Sequence, residues 1–329
     1  MYATGNKKML NMLILQILET YSDEEHSLTQ QRIMDLLQQD YGMTCDRRSV
    51  SNNIKYLKEL GYEICESRNK GYYLMIRDFD NSELRFMIDS VLCSKNMTNI
   101  QVHDLIEKLV AKGNKYFSPQ VAHVNNISEI SYKDNNELFL AIETINEAIA
   151  RKRKISFCYK SYNLDFKLIP RREERYIVNP YQMITANGLY YLIANYDKYD
   201  DVSHYRLDKI ADVEIIEKPV KSMKLVRGLE KGLDLPKHLA EHIYMYSGES
   251  VTAKIEVPQD MMNELVDWFG KDFRILEKSE DKMIIRVSCN EKALSFWCLQ
   301  YGPFVEILSP ESTRDIVREY VTAMYSKYK

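Results

Sequence analysis

His238 and His242 lie four residues apart in the run His-Leu-Ala-Glu-His, with Glu241 between them. On a helix that spacing sets both imidazoles on one face with a carboxylate beside the second, the arrangement of one group of zinc hydrolases. Asp234-Leu235-Pro236 just upstream reads as a helix start. The helix is short, and no third ligand is evident, whereas catalytic zinc takes three protein ligands and a water. Zinc hydrolysis through His238 and His242 therefore stands as a minor alternative, and the expectation is no metal and no cofactor. The glycines form neither a dinucleotide fingerprint nor a phosphate loop, and no Gly-x-Ser-x-Gly elbow occurs. Nothing sets a nucleophile beside a base, so no catalytic residue and no enzyme is expected.

The residues that carry charge in a pattern are elsewhere. Between Arg47 and Arg77 seven basic side chains stand against three acidic ones, a local +4 in a chain whose net charge is −3. Between Arg151 and Arg175 nine stand against three, a local +6. In the second stretch the cations interleave with Tyr159 and Tyr162, and Tyr181, Tyr190 and Tyr205 follow. Cations for phosphates and rings for bases are the mix of a nucleic-acid surface.

The first stretch sits on elements suited to duplex DNA. Met9, Leu10, Leu13, Ile14, Ile17 and Leu18 recur at helical spacing, and a second helix from Thr29 turns Ile33, Leu36 and Leu37 inward. The third starts at Asp46 as N-cap and stops at Gly61, with Val50, Ile54 and Leu57 as its buried stripe. Its other face carries Arg47, Arg48, Ser51, Asn52, Lys55 and Tyr56. Two short strands follow, Tyr62–Glu66 and Tyr72–Ile76, joined through Arg68 and Lys70. Three helices and a basic-tipped hairpin are the order of a winged helix-turn-helix, whose third helix enters the major groove. Arg47, Arg48, Ser51, Asn52, Lys55, Tyr56, Arg68 and Lys70 are the candidate DNA-binding residues.

The chain has 329 residues, 45% hydrophobic and 28% charged, which fits several globular domains. No apolar run reaches the roughly 18 residues of a spanning helix, so no membrane partner is expected. The N-terminus lacks a signal peptide's apolar core. Six scattered cysteines without a Cys-x-x-Cys pair fit a reducing cytoplasm. The reading by segments is 1–77 winged helix-turn-helix, 78–153 helical linker, 154–216 a small barrel, 217–244 connector and 245–329 a C-terminal α+β domain. The stretch Phe117–Lys133 reads as the loosest. In the barrel segment short strands recur, and Asn187-Gly188 is a two-residue hairpin signal, since both central positions of a type I′ turn need positive φ. The C-terminal segment reads β-α-β-β-α, the order of an α+β sandwich.

Tyr190-Tyr191-Leu192, then Tyr205-Arg206-Leu207-Asp208-Lys209-Ile210, with the Pro and hairpin before them, resemble the WYL domain of bacterial transcriptional regulators. Tyr190 stands where the family has its naming Trp. DRRSVSNNIKYLKELGY resembles the winged domains of the same regulators, and SFWCLQYGPFVEILSPESTRDIV their C-terminal WCX extension. A run similar to the one after His238 occurs in relatives as a connector. The fold implied is α+β and multidomain, with an Sm-like, SH3-type five-stranded barrel between the winged domain and the WCX sandwich. The resemblance also implies ligand-binding positions at Tyr159, Ser161, Tyr190, His204 and Arg206, with Tyr181 added. For Tyr191 and Tyr205 a core role is preferred.

The expected function is a cytoplasmic, homodimeric, DNA-binding transcriptional regulator, in which a nucleotide or single-stranded nucleic acid in the WYL barrel controls operator binding. Relatives act in phage defence or in DNA-damage responses. The alternative is an RNA- or single-strand-binding accessory of a CRISPR or other phage-defence effector.

Overall fold

Side-chain caps fix where the first helices begin. In the computed structural model, which describes residues 9–68, 71–117, 119, 121 and 137–329, α1 is Leu10–Tyr21, α2 Gln30–Tyr41 and α3 Arg47–Glu59. Thr29 accepts from the Arg32 backbone N–H at 3.2 Å at the head of α2, and Asp46 from Ser49 at 2.6 Å at the head of α3. Each satisfies a backbone donor that a helix end leaves without a partner. Gly42, at φ +65°, closes α2 in the left-handed conformation that glycine adopts without a Cβ clash.

Leu13, Ile14, Ile17 and Leu18 of α1 meet Ile33 and Leu36 of α2 and Val50, Ile54 and Leu57 of α3 in one core. Antiparallel strands β1 (Ile64–Glu66) and β2 (Tyr72–Leu74) close its side, and Leu28 bridges to Tyr72. Arg77 is held to the end of α1, donating to the carbonyls of Leu18, Glu19 and Ser22 at 3.2, 2.6 and 2.5 Å. It thereby ties the chain after β2 to orphan carbonyls and is not an outward cation. Helices α4 (Asn81–Leu92) and α5 (Asn99–Val110) each open on a reciprocal capping box, Asp80 with Glu83 and Thr98 with Gln101. Lys70 and most of Phe117–Lys133 lie outside the described residues.

The chain divides into two compact units, Met1–Tyr132 and Lys133–Lys329. In the second, α6 (Leu138–Arg151) packs Ala141, Ile145 and Ala148 inward. Six strands follow: β3 (Arg153–Tyr162), β4 (Leu168–Pro170), β5 (Tyr176–Ala186), β6 (Leu189–Tyr196), β7 (Val202–Arg206) and β8 (Ile210–Pro219). They form one curled sheet in the order β4-β3-β5-β6-β7, with β8 also on β3. Asn187 and Gly188, at φ +52° and +73°, make the tight turn between β5 and β6. The short helix α7 (Leu235–Glu241) lies in the connector.

The C-terminal part is a four-stranded sheet in the order β10-β11-β9-β12. Its strands are β9 (Ser250–Pro258), β10 (Arg274–Lys278), β11 (Lys282–Asn290) and β12 (Glu306–Ser309), with helices α8 (Met262–Phe269), α9 (Glu291–Gln300) and α10 (Glu311–Tyr328). Trp297 and Phe269 fill its core. The architecture is α+β and multidomain. Strand β12 goes beyond the β-α-β-β-α order read from sequence: four residues between Phe304 and Pro310 give too short an alternation to register. Among the described residues no helix is long and apolar enough to cross a membrane.

Candidate nucleic-acid interface and barrel site

The buried stripe of α3 leaves its other face outward. Arg47, Arg48, Ser51, Asn52, Lys55 and Tyr56 are all exposed, and Arg68 is exposed where β1 turns toward β2. Arg47 touches Gln31 at 3.4 Å, and Lys55 lies 3.8 Å from Glu59 in a solvated pair. Such a pair contributes little to stability, so neither cation is committed to the fold.

The expected ligand-binding residues of the curled sheet do not form one wall. Strand register pairs Tyr191 with Arg206, Leu192 with Tyr205 and Ile193 with His204. Directly paired residues share a face and neighbours along a strand alternate. One face of β6–β7 therefore carries Tyr191, Ile193, Val202, His204 and Arg206. The other carries Tyr190, Leu192 and Tyr205.

Tyr205 packs edge-on against Phe157 and Tyr159, with ring centroids 5.2 and 5.4 Å away, and Tyr176 completes the cluster. Burial pushes the Tyr205 hydroxyl up to about 12 and also raises that of Tyr159. Tyr190 thus lies on the side of the aromatic cluster, away from His204 and Arg206. Pairing alternation was available in the sequence, but which of two adjacent tyrosines faced Arg206 was not.

Tyr159 still meets Arg206, because its hydroxyl accepts from the Arg206 backbone N–H at 3.2 Å. The Arg206 guanidinium forks onto Asp208, Nε to Oδ1 at 3.0 Å and Nη2 to Oδ2 at 2.8 Å. Ser161 lies opposite Ile169 where β3 pairs β4.

Tyr181 sits at an irregularity in the β5–β6 pairing and donates its hydroxyl to the Lys221 carbonyl at 2.8 Å. It lines a cleft of about 970 Å³ with Lys152, Arg153, Lys221, Lys224 and Lys231. Lys152, Lys224 and Lys231 have no ion-pair partner among the described residues. Sequence reasoning missed this concentration because three of the lysines come from the connector.

Several cations of the +6 stretch are neutralised by acids outside it. Arg151 and Arg153 pair with Glu217, Lys154 with Asp197, and Arg175 with Glu214. Arg172 stacks on Tyr176 at 3.5 Å from the ring centroid. Lys160, Lys167 and Arg171 have no ion-pair partner among the described residues.

His204 does not face a free pocket. The connector covers its side of the sheet with Val226 and Leu229, joined by Met245 just beyond it, and the Nε2 of His204 meets Nε2 of His238 at 2.8 Å. His242 stands beside both, with ring centroids 4.9 Å from His204 and 4.4 Å from His238. Burial lowers the proton affinity of all three, to about 3 for His238.

A family profile for the WYL domain matches residues 141–215, from within α6 to the middle of β8. The chain carries a WYL domain. The curated protein sequences contain no match. Among solved structures the chain is similar to proteasome accessory factor B/C (PafBC) of Arthrobacter aurescens, at 15% identity and a TM-score of 0.31. That likeness covers 100% of this chain and 50% of that one, so this chain spans half the length of the Arthrobacter protein. It is also similar to a CRISPR Cas-related protein at 14% identity and a TM-score of 0.39, over 84% of this chain and 77% of the other. The resemblance read from the Tyr-Tyr-Leu triplet and the Tyr-Arg-Leu-Asp run falls inside the matched WYL domain.

Proposed function

We propose that the protein is a homodimeric, cytoplasmic transcriptional regulator that binds duplex DNA and is switched by a nucleotide or single-stranded nucleic acid at its WYL domain. The observation that carries this reading is α3. Six exposed side chains suited to bases and phosphates oppose a fully buried stripe, on a capped helix beside a two-stranded hairpin. In this reading α1–α3 with β1–β2 are a winged helix-turn-helix, and α3 occupies the major groove. Arg and Asn suit bidentate contacts to guanine and adenine. The curled sheet is the Sm-like sensing barrel and the C-terminal sheet and helices are the WCX region.

The cleft around Tyr181 supports the switch. Lys152, Lys224 and Lys231, with the ion-paired Arg153 and Lys221, outnumber the single acid Glu230 around about 970 Å³, and with Tyr181 they suit an anionic, base-bearing ligand. On α10, Val321, Met324, Tyr325 and Tyr328 share one face and are all exposed. Contiguous apolar surface of that kind marks association, here with a second copy.

The unpaired Lys160, Lys167 and Arg171, near the exposed Phe166, favour a second reading, a single-strand-binding accessory of a defence nuclease. Capture of genomic DNA by the full chain, followed by footprinting at its own promoter, separates the two. A two-fold symmetric footprint on an inverted repeat supports the regulator. Failure to bind any duplex, with retention of single strands, supports the accessory.

A further inference from the structure

We infer that His204, His238 and His242 form a binding site for one transition-metal ion of the zinc class, clamping the connector onto the WYL sheet. Three ring nitrogens, one from each histidine, all lie within 4.8 Å of one another. Tetrahedral zinc with bonds of about 2.0–2.1 Å needs ligand nitrogens about 3.4 Å apart, so modest ring rotations suffice. His238 is within α7 and His242 caps its end, which puts both on the side facing β7, where His204 is held opposite Ile193.

A merely structural role would leave every buried ring nitrogen of the three histidines satisfied, and one of them is not. His204 Nδ1 is buried without a hydrogen-bond partner among the described residues. Nε2 of His204 and Nε2 of His238 face each other at 2.8 Å, so at most one of the two carries the shared proton. His238 and His242 are only 5% and 8% exposed. A cation bound among them would use these lone pairs.

The orientation of His242 fits a ligand. Its Nδ1 lies 3.1 Å from the Tyr246 carbonyl, which can only accept, so Nδ1 carries the proton and Nε2 keeps its lone pair. That outer hydrogen bond is what fixes the tautomer of metal-bound histidines. Glu241 belongs to a different arrangement, since its carboxylate lies 3.7 Å from Lys237 on its own helix. Three imidazoles without a carboxylate or carbonyl select zinc, cobalt, nickel or copper over magnesium and calcium, which take oxygen. An approach exists, because His242 also lines a cleft of about 510 Å³ with Thr185, Asn187, Leu239 and Asp267.

The test uses the untagged full chain, stripped with a chelator and titrated with Zn²⁺ against a chromophoric competitor. One ion per chain is expected, with affinity falling by at least about 100-fold in His204→Gln and in His242→Gln, since loss of even an outer-shell partner costs 10–100-fold. Wild type and both variants binding Zn²⁺ alike would overturn the site. Should the variants fold poorly, Co²⁺ bound to wild type decides. A visible tetrahedral spectrum with three imidazole ligands by X-ray absorption is expected. Fewer than three imidazoles, or a thiolate charge-transfer band placing the ion on cysteine, overturns it. DNA binding is not read in either measurement, so failure of the metal site is distinct from failure of the regulator.

Discussion

The guanidinium of Arg206 grips the carboxylate of Asp208 through two parallel hydrogen bonds of 3.0 and 2.8 Å, and Asp208 is only 1% exposed. The Arg206 backbone is also tied to Tyr159. Arg206 is therefore part of what holds the turn between β7 and β8, whatever else it contacts. Arg206→Ala should lower the stability of the WYL unit, because removing the charged partner of two hydrogen bonds to a buried carboxylate costs about 1–3 kcal/mol or more. Arg206→Ala with Asp208→Asn should recover part of the loss. Urea unfolding of the single and double variants checks this, and an unchanged midpoint in Arg206→Ala would show the pair to be energetically idle.

A second consequence concerns α3. Arg48→Ala and Asn52→Ala remove exposed side chains one turn apart, so folding should be unaffected. Operator affinity should fall by about 1–3 kcal/mol per lost base contact. Arg68→Ala, on the hairpin, should weaken all duplexes alike and make the salt dependence shallower by about one phosphate contact. Binding isotherms at several salt concentrations, on operator and on random duplex, separate the two behaviours. An Arg68 variant with relaxed sequence preference and an unchanged salt slope would reverse the assignment.

Arg77 gives the contrasting case within the same basic stretch. Arg77→Met keeps the stem but removes the three bonds to the end of α1. The unit Met1–Tyr132 should lose about 1.5–3 kcal/mol, the range for hydrogen bonds from a charged group. Its salt slope for DNA should stay as in wild type. A shallower slope with unaltered stability would add Arg77 to the DNA-contacting set.

These four arginines also show what the sequence could and could not reveal. The faces of α3 were legible because cap, stripe and stop are local and agree in period, and Asn187-Gly188 declared its turn by its own φ requirement. Arg77 reads as one more cation, since the carbonyls it meets belong to a helix more than fifty residues earlier. The same is true of Lys154, whose partner Asp197 lies two strands away. His238 and His242 announced their spacing, but His204 comes from the strand β7, 34 residues before His238. Local period identifies elements; it does not identify which distant element completes a charge pair or a ligand set.

Asp197 permits a prediction with pH. Burial alone would raise its carboxyl, but the Lys154 ammonium and the Asn179 amide outweigh that and hold it below the usual range. A group with a depressed folded value stabilises above its unfolded value, near 3.8, and that contribution is lost as pH falls through the folded value. Unfolding midpoints should therefore show an acid-sensitive component below about pH 4 that Asp197→Asn removes. An Asp197→Asn profile parallel to wild type down to pH 2 would mean that the carboxylate contributes nothing.

The proposed switch is where the geometry of the curled sheet bears most directly on function. If an anionic ligand occupies the cleft beside Tyr181, its phosphates meet Lys152, Lys224 and Lys231 and leave the Arg206–Asp208 pair intact. Lys152→Ala with Lys224→Ala should then reduce affinity for a short single strand and flatten its salt dependence, because each phosphate contact releases counterions. Tyr190→Phe, on the aromatic side, should have little effect. A ligand shifts operator affinity only by its differential affinity for the two states of the protein, and operator must shift ligand affinity by the same factor. Titrating the strand with and without operator measures both factors in one protein preparation. Equal factors in wild type, absent in the double lysine variant, are expected. A strand bound equally well by both proteins would place the ligand outside this cleft, and unequal factors would mean that strand and operator act on the protein through more than one binding event.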